Sequence, residues 1–268
     1  MANSAVRSKS TPEPGDSYVQ SFARGLEVIR SFHAQAQQQT LSEVAASTGL
    51  TRAGARRILL TLQTLGYVDG DGKYFHLTPR ILELGFAYLS SLPIWNLAEP
   101  VMERLADQVK ESCSAAVLDR SDIVYVLRVH THKIMSLNLG VGSRLPAYCT
   151  SLGRVLLAGL HDTEVEDHLR TSDLQARTSH TLTDPAELLR QVQQVRTQGW
   201  CLVDQELEEG LISMAAPVLN QAGVTVAALN ISGQANRSSA ETMQQTMLPA
   251  LREAANTISI LLRSSRVR

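Results

Sequence analysis

The residues of this 268-residue chain that could do chemistry fall into two groups. In the first, Arg56 and Arg57 stand side by side in TRAGARRILLTLQTLGYV, with Thr51 and Arg52 opening the stretch and Lys73 following in a DGDGK run. A guanidinium grips phosphate through paired N–H groups or reads the acceptor edge of guanine, so an adjacent pair points to nucleic acid. Taken alone, the pair fits a solvated helix face as well. In the second group, hydroxyl and amide side chains sit among apolar neighbours in three stretches, RLPAYCTSLGRVLL, DQELEEGLISMA and AALNISG. Thr150 and Ser151 stand at an expected helix start, where unpaired backbone N–H groups favour an anion. Asn230 and Ser232 share one face of an expected strand. A concave site with a few such groups and an apolar wall suits a small organic acid. Equally, Thr150 and Ser151 could simply cap the helix while Asn230 and Ser232 face solvent.

Enzyme constellations are missing. Gly140-Val141-Gly142 is not followed by the third glycine of a dinucleotide fingerprint, and neither a phosphate-binding P-loop nor a zinc-protease motif occurs. His130-Thr131-His132 could place two imidazoles on one strand face, but further ligands at metal spacing are absent. Cys149, near His130, fits a small buried residue better than a nucleophile. No catalytic residue, metal or cofactor is expected, and the chain does not read as an enzyme.

The elements around the first group make a winged helix-turn-helix. Residues 21–33 predict a helix, with Phe22, Leu26, Ile29 and Phe32 as its apolar stripe. A Gln-rich connector leads to Thr40, which with Glu43 forms a capping box for the next helix; Leu41, Val44 and Ala45 face inward and Gly49 ends it. Thr51 caps the helix after that. At about 100° per residue, Ala55, Ile58, Leu59, Leu62 and Leu65 fall on one side, while Arg56 and Arg57 fall on the other. Gly66 stops it, and strands at 67–68 and 74–77 flank an Asp69-Gly70-Asp71-Gly72 turn with Lys73 at its tip. A capped helix, a glycine turn, an Arg-bearing helix and a hairpin in this order place one helix in the major groove. Residues 18–80 carry seven basic residues against four acids, a local surplus of three in a chain of net charge -1.

Residues 79–92 predict a further helix with apolar residues on more than one face, as a linker that also meets a partner subunit would have. Beyond it, helices are expected at 97–110, 151–160, twice within 163–198, and as one closing helix at 241–263. Strands are expected at 113–118, 123–130, 133–139, 200–204, 212–219 and 224–232. Helices and strands mixed in this way indicate an α+β domain with an antiparallel sheet. The three cysteines lack pair spacing, no apolar run approaches the roughly 20 residues of a membrane span, and the N-terminus lacks a signal-peptide core. These features predict a cytoplasmic protein without a membrane partner.

The motifs SFARGLEVI, TRAGARRILLTLQTLGYV, LTPRILELGFAYLSS, GSRLPAYCTSLGRVLLA and DQELEEGLISMAAPV, in that order, resemble the IclR family of bacterial regulators, and within it the β-ketoadipate-pathway branch of the PcaR, PcaU and PobR types. The resemblance covers residues 18–263. The Ser- and Pro-rich composition ahead of it predicts a disordered tail (1–17), and the resemblance implies a winged helix-turn-helix DNA-binding domain (18–78), a linker and dimerisation helix (79–93) and a GAF-like effector-binding domain (94–265). Thr51, Arg52, Arg56, Arg57 and Lys73 would then contact double-stranded operator DNA. Effector positions of the family fall on Ser151, Leu152, Gly153, Asp204, Ser213, Asn230 and Ser232, with Arg144 and Tyr148 close by in sequence; some relatives carry Cys at 213 and Ser at 230. The implied function is a transcriptional regulator of aromatic-acid catabolism that answers to a small organic, aromatic acid. The implied assembly is a homodimer or dimer of dimers, with RNA polymerase a further partner for an activator. Activation is slightly favoured, although the residues leave the sign open. Two alternatives remain: a regulator answering to a non-aromatic acid, and an enzyme or sensor whose winged helix makes protein contacts.

Overall fold

The structure, a computed structural model, describes residue 15 and residues 17–91, 94–130 and 139–264. The chain divides into two compact units, Met1–Tyr88 and Leu89–Arg268.

In the first unit, α1 (Gln20–Ser31) leads to β1 (Gln38–Thr40), α2 (Leu41–Thr48), α3 (Arg52–Thr64), β2 (Val68–Gly70) and β3 (Tyr74–Leu77). Thr40 and Glu43 make the full capping box on α2: Oγ1 of Thr40 accepts from Glu43 N, and the Glu43 carboxylate accepts from Thr40 N at 2.7 Å. Gly49 closes α2 at φ 67°, a left-handed conformation that glycine adopts without steric cost. The core gathers Val28, Phe32, Val44, Ala45, Ala55, Leu59, Leu62, Val68 and Phe75.

Four expectations change here. The Gln-rich connector is not only a linker: its last residues form β1, which pairs antiparallel with β3, giving the sheet order β1-β3-β2. Gln39 is buried there, and its amide donates to Ser31 O at 2.9 Å. On α1 the buried residue is Val28, whereas Phe22 is 68% exposed. Leu65 caps α3 and is exposed instead of completing its inner side. The helix expected from Pro79 opens as a 3-10 turn (Pro79–Ile81) and continues as α4 (Leu82–Ser90), which buries none of its residues; its expected end at Leu92 and Pro93 lies outside the described residues.

The second unit contains α5 (Ile94–Val109), β4 (Ser112–Asp119), β5 (Asp122–Val129), β6 (Arg144–Pro146), α6 (Ser151–Ala158), α7 (Asp162–Thr171), α8 (Pro185–Gln198), β7 (Cys201–Asp204), β8 (Leu211–Leu219), β9 (Thr225–Gln234), α9 (Ala240–Thr246) and α10 (Leu248–Ser264). The six strands form one antiparallel sheet in the order β6-β5-β4-β9-β8-β7. One face, with Cys113, Ala115, Met214, Leu229 and Ile231, packs on α5 and α10. The other, with Ile123, Tyr125, Val203, Ala215 and Ala228, clusters with apolar residues of α6, α7 and α8. This is the α+β arrangement expected of an effector domain. β6 falls outside the expected strands, and the closing helix is two helices separated at Met247. The strand expected at 133–139 lies almost wholly outside the described residues. Among the described residues, no single helix is long and apolar enough to cross a membrane.

Candidate functional site

The first unit presents α3 as an exposed cationic face. Thr51 caps the helix, its Oγ1 accepting from Gly54 N at 3.1 Å, and Arg52, Arg56 and Arg57 are all exposed, while Ala55, Leu59 and Leu62 bury the opposite side. In the hairpin, one carboxylate oxygen of Asp71 accepts from both Lys73 N and Tyr74 N at 2.8 Å, and these bonds hold the Asp71 carboxyl below its ordinary value. Lys73 stays exposed, its Nζ 4.9 Å from the centre of the Tyr74 ring. Arg80 differs: it donates to Leu65 O at 2.9 Å and lies over the Tyr67 ring, tying the end of α3 to the turn after β3. Its charge belongs to the scaffold.

The second unit holds a cavity between the start of α6 and the sheet face beneath it. Ser151 and Ser213 pair through their hydroxyls at 2.9 Å, both buried. On β9, Asn230 accepts from Ser114 N at 3.0 Å and donates to Ser232 Oγ at 2.9 Å. Thr150 caps α6, accepting from Gly153 N and donating to Pro146 O. Leu139, Leu152, Val203, Leu207 and Leu211 supply the apolar wall, with Tyr125, Arg128 and Cys149 completing the lining. Burial raises the Tyr125 phenol to about 12 and the Cys149 thiol to about 11, so at neutral pH one is an uncharged hydroxyl and the other an inert thiol.

A segment of the lining is strapped in place. Arg154 of α6 makes a buried bidentate pair with Glu206, at 2.7 and 2.6 Å, and donates through Nε to Tyr148 O. Glu206 also accepts from Leu182 N at 3.0 Å, and its backbone carbonyl accepts from Thr181 Oγ1. The next residue, Leu207, lines the cavity. Among the described residues no group of three or more His, Cys, Asp or Glu side chains could hold a metal ion.

Residues 21–72 match the IclR helix-turn-helix domain, and residues 86–260 match the C-terminal domain of the bacterial transcriptional regulator IclR. The chain belongs to the IclR family. It is therefore a DNA-binding regulator of transcription, as the family's members are, and not an enzyme. The Pca regulon regulatory protein of Pseudomonas putida is 45% identical over 242 residues, 90% of this chain and 83% of its own length. The p-hydroxybenzoate hydroxylase transcriptional activator of Acinetobacter baylyi is 37% identical over 253 residues, 92% and 93% of the two chains. A crystal structure of an IclR homolog from Microbacterium hydrocarbonoxydans, complexed with 4-hydroxybenzoate, superposes with a TM-score of 0.81 at 27% identity, covering 91% of this chain and 100% of the other.

Of the nine expected effector positions, seven implied by the IclR resemblance and two (Arg144 and Tyr148) added for their nearness in sequence, Ser151, Leu152, Ser213, Asn230 and Ser232 line the cavity. The other four do not, and each has a local reason. Arg144 lies on edge strand β6, where its guanidinium meets Asp119 at 2.7 Å and Asp122 at 3.1 Å. Asp204 is exposed at the end of β7. Tyr148 is buried, its hydroxyl donating to Gln175 O at 2.6 Å. Gly153 packs so closely that an added Cβ would run into the Ala147 backbone.

The lining residue most conspicuously missed is Arg128. Simple alternation along β5 from Ile123 and Tyr125 would put Leu127 and Val129 on the cavity face and Arg128 on the other. A bulge breaks the count, however: Ala115 pairs with Leu127 but Ala116 pairs with Tyr125, so Val126 is extra. Val126, Leu127 and Val129 accordingly pack with the α5–α10 core, and Arg128 lines the cavity.

Proposed function

We propose that this IclR-family protein regulates transcription of an aromatic-acid catabolic operon in response to an aromatic acid of the 4-hydroxybenzoate, protocatechuate and β-ketoadipate pathway. The observation that carries the reading is the cavity, whose apolar wall and hydroxyl, amide and guanidinium groups suit a small aromatic acid. The names of the two relatives and the ligand in the Microbacterium structure support that class of effector. Residues 18–78 read DNA, 79–93 link, and 94–265 sense. Arg52, Arg56 and Arg57, with Thr51 at the helix start, meet the operator, while Lys73 reaches backbone phosphate. The protein works in the cytoplasm as a homodimer or dimer of dimers, and a contact with RNA polymerase would accompany activation.

The cavity also supplies a reason for a switch. Its free space for a water-sized sphere is about 20 Å³, on the order of one water. An aromatic ring needs the lining to part, so the acid binds an opened arrangement in preference to this one. Such differential affinity is what lets a ligand shift a conformational equilibrium.

Calorimetry with 4-hydroxybenzoate, protocatechuate and β-ketoadipate tests the reading. Binding of at least one is expected, with a matching change in affinity for DNA upstream of the protein's own gene. Silence from all three would sink the aromatic-acid assignment.

A further inference from the structure

We propose that Arg128 is the carboxylate-binding residue of the effector cavity, and that the bulge in β5 is what delivers it there. This rests on the aromatic-acid reading for its first probe, although the residue's role extends to any carboxylate.

Strand register sets the geometry. Arg128 on β5 lies opposite Ser114 on β4, and Ser114 lies opposite Asn230 on β9. The three stand in one row across the sheet, on the face that α6 covers. The next row brings Ser112, Ser232 and Ser213 into line. Without the bulge this patch of hydroxyls and an amide would carry no charge from β5, because residue 128 would point at the α5–α10 core. Among the described lining residues Arg128 is the single charged side chain, and none is acidic. A site of that sign repels cations and favours anions.

The guanidinium's surroundings point the same way. Arg128 is half-buried, and desolvation pulls its pKa down from the usual arginine value. Its Nε lies 3.4 Å from His130 Nδ1, so the fork of terminal N–H groups is the part that meets a ligand. A planar carboxylate accepts two parallel N–H bonds from a guanidinium and offsets the hydration given up on burial. The start of α6 is the competing anion site. There, however, Gly153 N–H is already taken by Thr150, and the Ser151 hydroxyl is paired with Ser213. Those hydroxyls, with Asn230 and Ser232, are better suited to a ring hydroxyl or a second polar group on the ligand.

The test compares an acid with its neutral amide on the full-length chain. Wild type, Arg128→Gln and Arg128→Lys are titrated by calorimetry with 4-hydroxybenzoate, 4-hydroxybenzamide and the aliphatic acid glyoxylate. Wild type should prefer 4-hydroxybenzoate over the amide. Arg128→Gln should lose roughly ten- to hundredfold in affinity for the acid, with its affinity for the amide unchanged, so the preference collapses. Arg128→Lys should fall between, having charge without the paired fork. Unaltered operator binding by both variants, measured alongside, establishes that they are folded. If wild type binds glyoxylate and neither aromatic compound, the aromatic reading fails while loss of glyoxylate binding in Arg128→Gln still upholds the anchor. Retention of the acid-over-amide preference in Arg128→Gln overturns the proposal and returns the carboxylate to α6. So does the absence of any acid binding by wild type.

Discussion

Arg56 and Arg57 have no scaffold work among the interactions described, in contrast to three other helical arginines. Arg80, Arg154 and Arg196 each bond a backbone carbonyl and a carboxylate. Exposed guanidiniums on a helix braced from behind by Ala55, Leu59 and Leu62 are free to meet phosphate. Replacing both with alanine should weaken operator binding and flatten its salt dependence by about one unit of log–log slope for each phosphate no longer neutralised. Fluorescence anisotropy across a salt series reads this directly; an unchanged slope would show that the pair does not touch the DNA backbone. These residues were legible in the sequence because a helix's faces follow from a fixed angular step. Asn230 and Ser232 were legible too, since β9 alternates regularly through them. Arg128 and Arg144 were not. The first is re-aimed by one extra residue in β5, and the second is claimed by Asp119 and Asp122, more than twenty positions earlier in the chain. Neither a bulge nor a long-range ion pair leaves a local mark in the residue pattern.

Elements that close on themselves were read well, and elements that need a distant partner were read poorly. α2 carries both its start and its stop in the sequence, as Thr40 with Glu43 and as Gly49. β1 has no such signature; three residues, QQT, become a strand only because β3 offers an edge. The β7–β8 connection is of the second kind. Its Glu206 is tied to α6 across 52 positions and to the segment before α8 through Leu182. Removing one member of the Arg154–Glu206 pair leaves the other buried and uncompensated, at a cost of about 3–5 kcal/mol. For a unit of this size that is a fall in melting temperature of roughly 6–20 °C. Arg154→Met and Glu206→Gln should each show a loss of this order by thermal denaturation. The double change Arg154→Met/Glu206→Leu should recover a good part of it, because no buried charge then lacks a partner. Recovery will stop short of wild type, since Tyr148 O and Leu182 N–H each lose a hydrogen bond. Additive losses in the double variant would mean that the two side chains act independently, against the bidentate geometry.

At the level of the whole molecule, the first unit exposes apolar surface that the proposed homodimer would cover. Leu82, Leu84, Phe86 and Tyr88 are all exposed along α4, with Leu82 at 70% and Phe86 at 69%. A groove of about 970 Å³, lined by Phe22, Leu26 and Ile29 of α1, by Ile58, Leu62 and Leu65, and by Leu84 of α4, lies open in the same unit. Exposed apolar patches of this kind mark interaction surfaces. They also explain the outer half of the α1 stripe: Phe22 and Leu26 have the right spacing for core positions, yet they border this groove, while Ile29 and Phe32 of the same stripe pack with the core. On the proposed homodimer reading, a second copy of the chain is the occupant. One winged helix brings few cationic groups to an operator, and two linked copies gain roughly 10²–10⁴-fold in avidity with no further DNA-binding residue. Leu82→Glu/Phe86→Glu places two carboxylates on that surface. Sedimentation velocity should show a shift toward monomer, and operator affinity should fall by a factor within that range, while the heat of effector binding in the second unit stays as in wild type. A variant that keeps both its sedimentation coefficient and its operator affinity would show that α4 does not join the copies.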